Sequence, residues 1–92
     1  MIISVTGHRD VEAEPGELVT FARLCVARMV QGGVEEIITG MARGWDLAIA
    51  KAAFDLGVPY CAAVPFPSQA RLWKFHDQRD WELAMSRAAR VV

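Results

Sequence analysis

Two short runs rich in glycine, arginine and small polar residues could bind an anion. The first is Thr6-Gly7-His8-Arg9, and the second is Gly40-Met41-Ala42-Arg43-Gly44, closely followed by Asp46. Glycine lets a ligand approach the backbone closely, while hydroxyl, imidazole and guanidinium groups donate hydrogen bonds to phosphate or sugar oxygens. Backbone N–H groups at the start of a following helix would add to such a site. The sequence therefore predicts an anion site made from two loops.

Each of these residues also has a plainer interpretation. Arg9 could be solvated together with Asp10, and His8 could hydrogen-bond a backbone group of its own loop. Asp46 could hydrogen-bond a ribose or a base, or it could serve only as a carboxylate stabilised by the dipole at the start of a helix. Both interpretations stay open for the two loops.

A third loop, Pro65-Phe66-Pro67-Ser68-Gln69, could supply an amide and, with Trp73, an aromatic wall for a planar base. For Trp73, Phe75 and Trp81, core packing or a subunit interface is the favoured interpretation, because aromatic residues at helical spacing usually pack. The polar residues 76–80 could form an acid–base site, although a polar helix face explains them equally well. No catalytic residue and no metal site is predicted.

Alternating apolar runs and helical patterns place these loops at one edge of a sheet. Strands are predicted at Ile2–Val5, Glu35–Thr39 and Tyr60–Val64, with a fourth beginning at Val91-Val92. Helices are predicted from Pro15 to the Gly32-Gly33 pair, from Arg43 to Leu56, and after Ser68 as one long helix or two short ones. This alternation predicts an α/β fold, a three-layer Rossmann-like parallel sheet of about four strands flanked by helices. Loops that follow parallel strands face a common crevice.

Composition indicates one domain spanning residues 1–92, with 53% hydrophobic residues. The net charge of -1, from 10 basic and 11 acidic residues, disfavours a general nucleic-acid binder. Cys25 and Cys61 lie in apolar runs, which favours buried thiols in a reducing compartment. The sequence shows no signal peptide and no run of apolar residues long enough for a membrane span, so a cytoplasmic protein is predicted.

Self-association, as a homodimer or a higher homo-oligomer, is also predicted. Three tryptophans and four phenylalanines are a large aromatic content for 92 residues, and an incomplete sheet edge would leave backbone groups unpaired. The expected interface is the helical surface around Trp73, Trp81 and Met85, or the sheet edge at Val91-Val92.

The succession of motifs resembles the YpsA-like branch of the SLOG superfamily. The resemblance rests on Thr6-Gly7-His8-Arg9, on the run from Ile38 to Ala48, and on Val64-Pro65-Phe66 with Gln69, and it extends over essentially all 92 residues. It implies a SLOG-like Rossmann-type domain in which the first-strand loop and the glycine-rich loop line a nucleotide-type pocket. Members usually continue through further strands and a second glycine-rich loop, which this sequence lacks.

The resemblance implies binding of a nucleotide or nucleotide-derived molecule, by a sensor or sequestering module without a cofactor. The superfamily also contains LOG enzymes, but their arginine and proline-glycine-glycine glutamate motif is absent here. The alternatives are a LOG-like nucleotide N-glycoside hydrolase using Asp46 or Asp77 with His8, and DprA-like binding of single-stranded DNA through Arg9, Arg43 and Arg71. The predicted ligand-binding residues are Thr6, Gly7, His8, Arg9, Gly40, Met41, Ala42, Arg43, Gly44, Asp46, Pro65, Phe66, Gln69 and Trp73.

Overall fold

The computed structural model describes residues 2–5, 15–65 and 69–92. Along the chain it contains β1 (Ile2–Val5), α1 (Pro15–Gln31), β2 (Glu36–Thr39), α2 (Trp45–Asp55), β3 (Tyr60–Ala62), α3 (Phe75–Arg87) and β4 (Arg90–Val91). The strands form one parallel sheet in the order β1-β2-β3-β4. The predicted α/β class, with a four-stranded parallel sheet flanked by helices, is confirmed.

The three helices form one layer on the sheet. Helix α1 contacts α2, and α2 contacts both α3 and the central strands β2 and β3. Because the strand order follows the chain order, each crossover connection moves one strand further in the same direction. Since such connections share the same right-handedness, their helices lie on one face of the sheet. The side chains of Ile37, Thr39, Tyr60 and Ala62 are buried under this layer. Among the described residues, the structure thus shows two of the three predicted layers, the sheet and one layer of helices.

Small side chains bring α2 close to its neighbours. Ile49, Ala50, Ala52 and Ala53 of α2 are buried in one apolar cluster with Ala22 and Val26 of α1. At the outer end of α2, the carboxylate of Asp55 is 3.2 Å from the guanidinium of Arg23 and 2.9 Å from the ammonium of Lys51. The alanine-rich helix therefore packs on the sheet and against α1.

The opposite face of the sheet carries an ion pair across three strands. Arg90 on β4 and Glu36 on β2 lie on either side of β3, and the Arg90 guanidinium donates to the Glu36 carboxylate, with Nε 3.0 Å from Oε1. Hydrogen bonding to Glu36 raises the pKa of Arg90 above its usual value. Cys61 is buried and Cys25 partly buried, and neither forms a disulfide, in agreement with the thiol prediction.

Several predicted boundaries shift in the structure. Helix α3 begins at Phe75 as a single helix, because residues 69–73 form turns and Lys74 is extended. Helix α2 begins at Trp45, because Gly44 has a φ of 89°, which is outside the helical region. Strand β3 ends at Ala62 and β4 already includes Arg90. In the described part of the chain, no helix has both the length and the hydrophobicity needed to cross a membrane.

Candidate ligand site

The loop between β2 and α2, residues 40–44, is fixed by two buried polar side chains. The carboxylate of Asp46, only 2% exposed, accepts a hydrogen bond from the backbone N–H of Ala42, with Oδ2 3.3 Å from the nitrogen. The hydroxyl of Thr39 donates to the carbonyl of Asp46 over 3.2 Å and accepts from the N–H of Met41 over 3.3 Å. The loop is therefore held by hydrogen bonds from within the protein.

The backbone of this loop is unusual at two residues. Met41 has a φ of 63° and Gly44 a φ of 89°, and both values lie in the left-handed region. For a residue with a Cβ atom this region costs about 1–2 kcal/mol. Met41 tolerates it with a fully buried side chain that belongs to the core cluster. The side chain of Met41, predicted as a ligand residue, therefore packs in the core beneath the loop and is not exposed to solvent.

Asp46 has a clear structural role. Its burial and its bond to Ala42 show that the carboxylate holds the loop and lies in the first turn of α2. A Cβ atom added to Gly40 would lie 3.1 Å from Asp46 Oδ2, closer than an ordinary van der Waals contact. An alanine at position 40 would thus make the carboxylate shift by a few tenths of an ångström, a packing relation that the sequence spacing did not reveal.

Arg43 connects this loop to the start of α3. Its guanidinium lies 3.8 Å from Oδ2 of Asp77, and the imidazole of His76 lies 3.3 Å from Oδ1 of the same carboxylate. From the sequence alone, Arg43 and residues 76–80 are predicted as separate features. A signal that could have joined them is their opposite charge near the starts of successive crossover helices, Arg43 just before α2 and Asp77 in the first turn of α3, because these helices are neighbours in this topology.

A cavity of about 450 Å³ lies between α2 and α3 and reaches the loop. Arg43 and Gly44 line it at the end where both helices begin, together with His76 and Asp77. At the other end the guanidinium of Arg87 stacks on the ring of Phe54, 4.2 Å from its centre. Aliphatic and aromatic side chains make up most of the wall, with charged groups at the rim; the remaining lining residues are Leu18, Val19, Leu47, Ala48, Lys51, Tyr60, Asp80, Leu83 and Ala84. The size matches that of small-molecule sites in proteins.

Tyr60 forms part of the inner wall of this cavity. Its ring is buried, and its hydroxyl donates a hydrogen bond to the backbone carbonyl of Ala84 in α3. Burial raises the pKa of Tyr60, so the hydroxyl stays protonated at neutral pH. Tyr60 therefore acts as an apolar wall whose polar atom is already occupied by the protein.

The described residues of the predicted third-loop site differ in their contacts and in their exposure. Gln69 donates from Nε2 to the carbonyl of Gly40 over 3.0 Å and accepts at Oε1 from the indole of Trp81 over 2.9 Å, so its amide connects the β2–α2 loop to α3. Trp73 is partly buried, and its backbone closes the turn with Ala70. Pro65 is exposed. Of the nine predicted ligand residues that the structure describes, Arg43 and Gly44 line the cavity.

Five predicted site residues lie outside the residues that the structure describes. They are the four residues of the first loop, Thr6, Gly7, His8 and Arg9, and Phe66 of the third loop. Within the described ranges, no group of three histidine, cysteine, aspartate or glutamate side chains is arranged to hold a metal ion.

In comparisons with known proteins, no family model matches the chain, and no curated protein matches it.

Proposed function

We propose that the chain binds a nucleotide or a nucleotide-derived small molecule at the end of the sheet where α2 begins, as a sensor or sequestering module. One observation carries the proposal: the cavity of about 450 Å³ reaches Arg43 and Gly44, so an apolar wall and a guanidinium share one compartment. A nucleotide needs this combination, because its base is planar and largely apolar while its phosphate is anionic. The resemblance to YpsA-like SLOG proteins implies the same ligand class and stays a prediction.

The start of α2 suits the phosphate. Among the described residues, no side chain caps the helix at Gly44, and the left-handed φ of this glycine orients the backbone there without a Cβ atom in the way. Backbone N–H groups and the positive end of the helix dipole favour an anion at such a position, and Arg43 adds a full positive charge. The base would then lie between the two helices, against Leu47, Tyr60 and Leu83.

The charges around the cavity favour a ligand with a small negative charge. Its lining contains the cations Arg43, Lys51 and Arg87 and the anions Asp77 and Asp80. Since Asp77 lies 3.8 Å from Arg43, it competes with a phosphate for the guanidinium. A nucleoside monophosphate or a cyclic nucleotide therefore fits better than a triphosphate.

Calorimetry against nucleoside monophosphates, cyclic nucleotides and triphosphates tests this proposal. We expect binding of a monophosphate or cyclic nucleotide that is lost or weakened at least about tenfold in Arg43→Ala, as for loss of a charge-assisted bond. Arg23→Ala is the matched control, because Arg23 pairs with Asp55 on the outer side of α2. Absence of binding across the whole panel, or equal weakening by both substitutions, would overturn the proposal.

The two alternative activities have distinct readouts. For N-glycoside hydrolysis, Asp77 is the better placed carboxylate, because it lies at the cavity beside His76, whereas Asp46 is buried in the loop. Release of free base from a nucleoside monophosphate, detected by chromatography, would favour the enzyme. If single-stranded DNA is retarded in a gel by the original protein and not by Arg43→Ala, the DprA-like alternative is favoured.

We further propose that the protein is cytoplasmic and forms a homodimer.

A further inference from the structure

Helix α1 carries an apolar stripe on the side that faces away from the core. Phe21 and Leu24 are 66% and 61% exposed, although both are large apolar residues. Ala22 and Val26, on the other side of the same helix, are fully buried. This helix therefore has a second apolar face in addition to the one that packs on the core.

The exposed face has the spacing of a coiled-coil seam. Residues Glu17, Phe21, Leu24, Arg28 and Gln31 are all exposed and are separated alternately by four and three residues. On an α-helix this spacing places side chains in one line along the axis. The line has apolar residues in its middle, an acidic residue near its start and a basic residue near its end.

The stripe is complementary to itself in the antiparallel direction. A twofold axis midway between Phe21 and Leu24 places Phe21 of one copy against Leu24 of the other. The same axis places Glu17 of each copy against Arg28 of the other, because both pairs are centred on the same point of the helix. A symmetric dimer thus covers four apolar side chains and forms two ion pairs of opposite charge, as an isologous interface requires.

We propose that two copies of this chain associate through α1, antiparallel, with Phe21 and Leu24 at the centre and Glu17–Arg28 pairs on both sides. This surface differs from the predicted α3 surface, because Trp81 and Met85 pack partly buried against the core. The proposal does not depend on nucleotide binding, since Phe21, Leu24, Glu17 and Arg28 lie outside the cavity lining. Two helices of about 25 Å paired along one stripe bury less than a standard interface, so we expect a weak dimer with a dissociation constant on the order of 10 μM.

Charge reversal tests the pairing directly. Each of Glu17→Arg and Arg28→Glu places like charges opposite each other twice in the dimer, so we expect each to weaken self-association about tenfold in sedimentation or light scattering. The double variant Glu17→Arg/Arg28→Glu restores both pairs and should dimerise like the original. An equimolar mixture of the two single variants should form a mixed dimer more readily than either forms alone, because both of its pairs are attractive.

Phe21→Glu should abolish the dimer and leave the 10.2 kDa monomer. Thermal unfolding of every variant controls for folding. The four substituted positions, 17, 21, 28 and 51, are all exposed, so we expect the melting temperature to change little. Lys51→Ala, on another helix, should leave the association constant unchanged. A wild-type protein that stays monomeric up to about 500 μM, well above the expected dissociation constant, overturns the proposal. The proposal is also overturned if both single charge variants form a dimer as tight as that of the original protein.

Discussion

Replacing Gly40 with alanine tests whether the Asp46 carboxylate fixes the loop between β2 and α2. The added Cβ atom would lie 3.1 Å from Asp46 Oδ2, so the carboxylate must shift by a few tenths of an ångström. That shift lengthens the bond from Ala42 N–H to the carboxylate, which is already 3.3 Å, and weakening a hydrogen bond to a charged group costs about 1–2 kcal/mol. Alanine at a compatible position otherwise stabilises by about 0.4–1 kcal/mol, through the entropy of the unfolded chain.

The two effects separate in a double-mutant cycle. In the original protein they oppose each other, and we expect Gly40→Ala to lower the free energy of unfolding by about 0.5–1 kcal/mol. In an Asp46→Ala background the carboxylate is absent, and the same substitution should raise the free energy of unfolding by about 0.4–1 kcal/mol. The coupling between the two positions is therefore about 1–2 kcal/mol, which denaturant unfolding measures directly.

Asp46→Ala alone should destabilise by about 2 kcal/mol, because the loop loses a charge-assisted bond and α2 loses an acidic residue from its first turn. Gly57→Ala is the control for a glycine remote from Asp46: an added Cβ meets no atom within 4 Å, but its φ of 75° is strained for alanine, so the same cost is expected in both backgrounds. If Gly40→Ala changes stability equally in both backgrounds, to within about 0.5 kcal/mol, the carboxylate does not constrain position 40 and the reasoning is refuted.

Three further predictions concern neighbouring contacts. Asp77→Asn should tighten binding of a nucleoside monophosphate about threefold to tenfold in calorimetry, because Arg43 loses its competing carboxylate; unchanged affinity would remove Arg43 from the phosphate site. Gln69→Leu should lower the free energy of unfolding by about 1–2 kcal/mol and change the tryptophan fluorescence, since the Gly40 carbonyl and the Trp81 indole both lose a partner; an unchanged melting temperature would contradict the bridging role. Hydrogen bonding to Lys51 lowers the pKa of Asp55 below 3.8, so the stability from this carboxylate is present above pH 3.8 and is lost as the pH falls through the lowered value. The difference in melting temperature between the protein and Asp55→Asn should therefore shrink on acidification below that pH, and a difference constant from pH 7 to pH 2 would contradict the assignment.

The elements were predictable from the sequence because their signals are local. Apolar runs stopped by Gly40 and by Pro65, and the alanine-rich pattern before Gly57, indicate strands and a helix without knowledge of the remaining chain. The start of α3 was harder to predict, since Leu72 and Trp73 continue the apolar helical spacing before Phe75 in a segment that the structure shows as turns. Spacing alone does not distinguish a helical turn from a series of tight turns.

The position of the glycine-rich loop was predictable from the sequence, but its contacts were less so. The glycine-rich loop next to Arg43 lies at a strand end beside a cavity, as parallel topology requires. The roles of Asp46 and Gln69 were not accessible, because they depend on burial and on partners distant in sequence, such as the Trp81 indole. The participation of α3 depends on the strand order, which the sequence pattern left undetermined.

The strand order has a consequence for how the chain folds. Every pairing joins strands that are consecutive in the chain, so no long segment must be closed before the sheet can form. Strands β2 and β3 are connected through the shortest crossover, and with α2 they bury Ile37, Ile49 and Tyr60 together. Closing the shortest loop costs the least entropy, so we expect this central unit to form first and β1 and β4 to assemble on it later. Amide hydrogens of β2 and β3 should consequently exchange with solvent most slowly, and those of the two edge strands first.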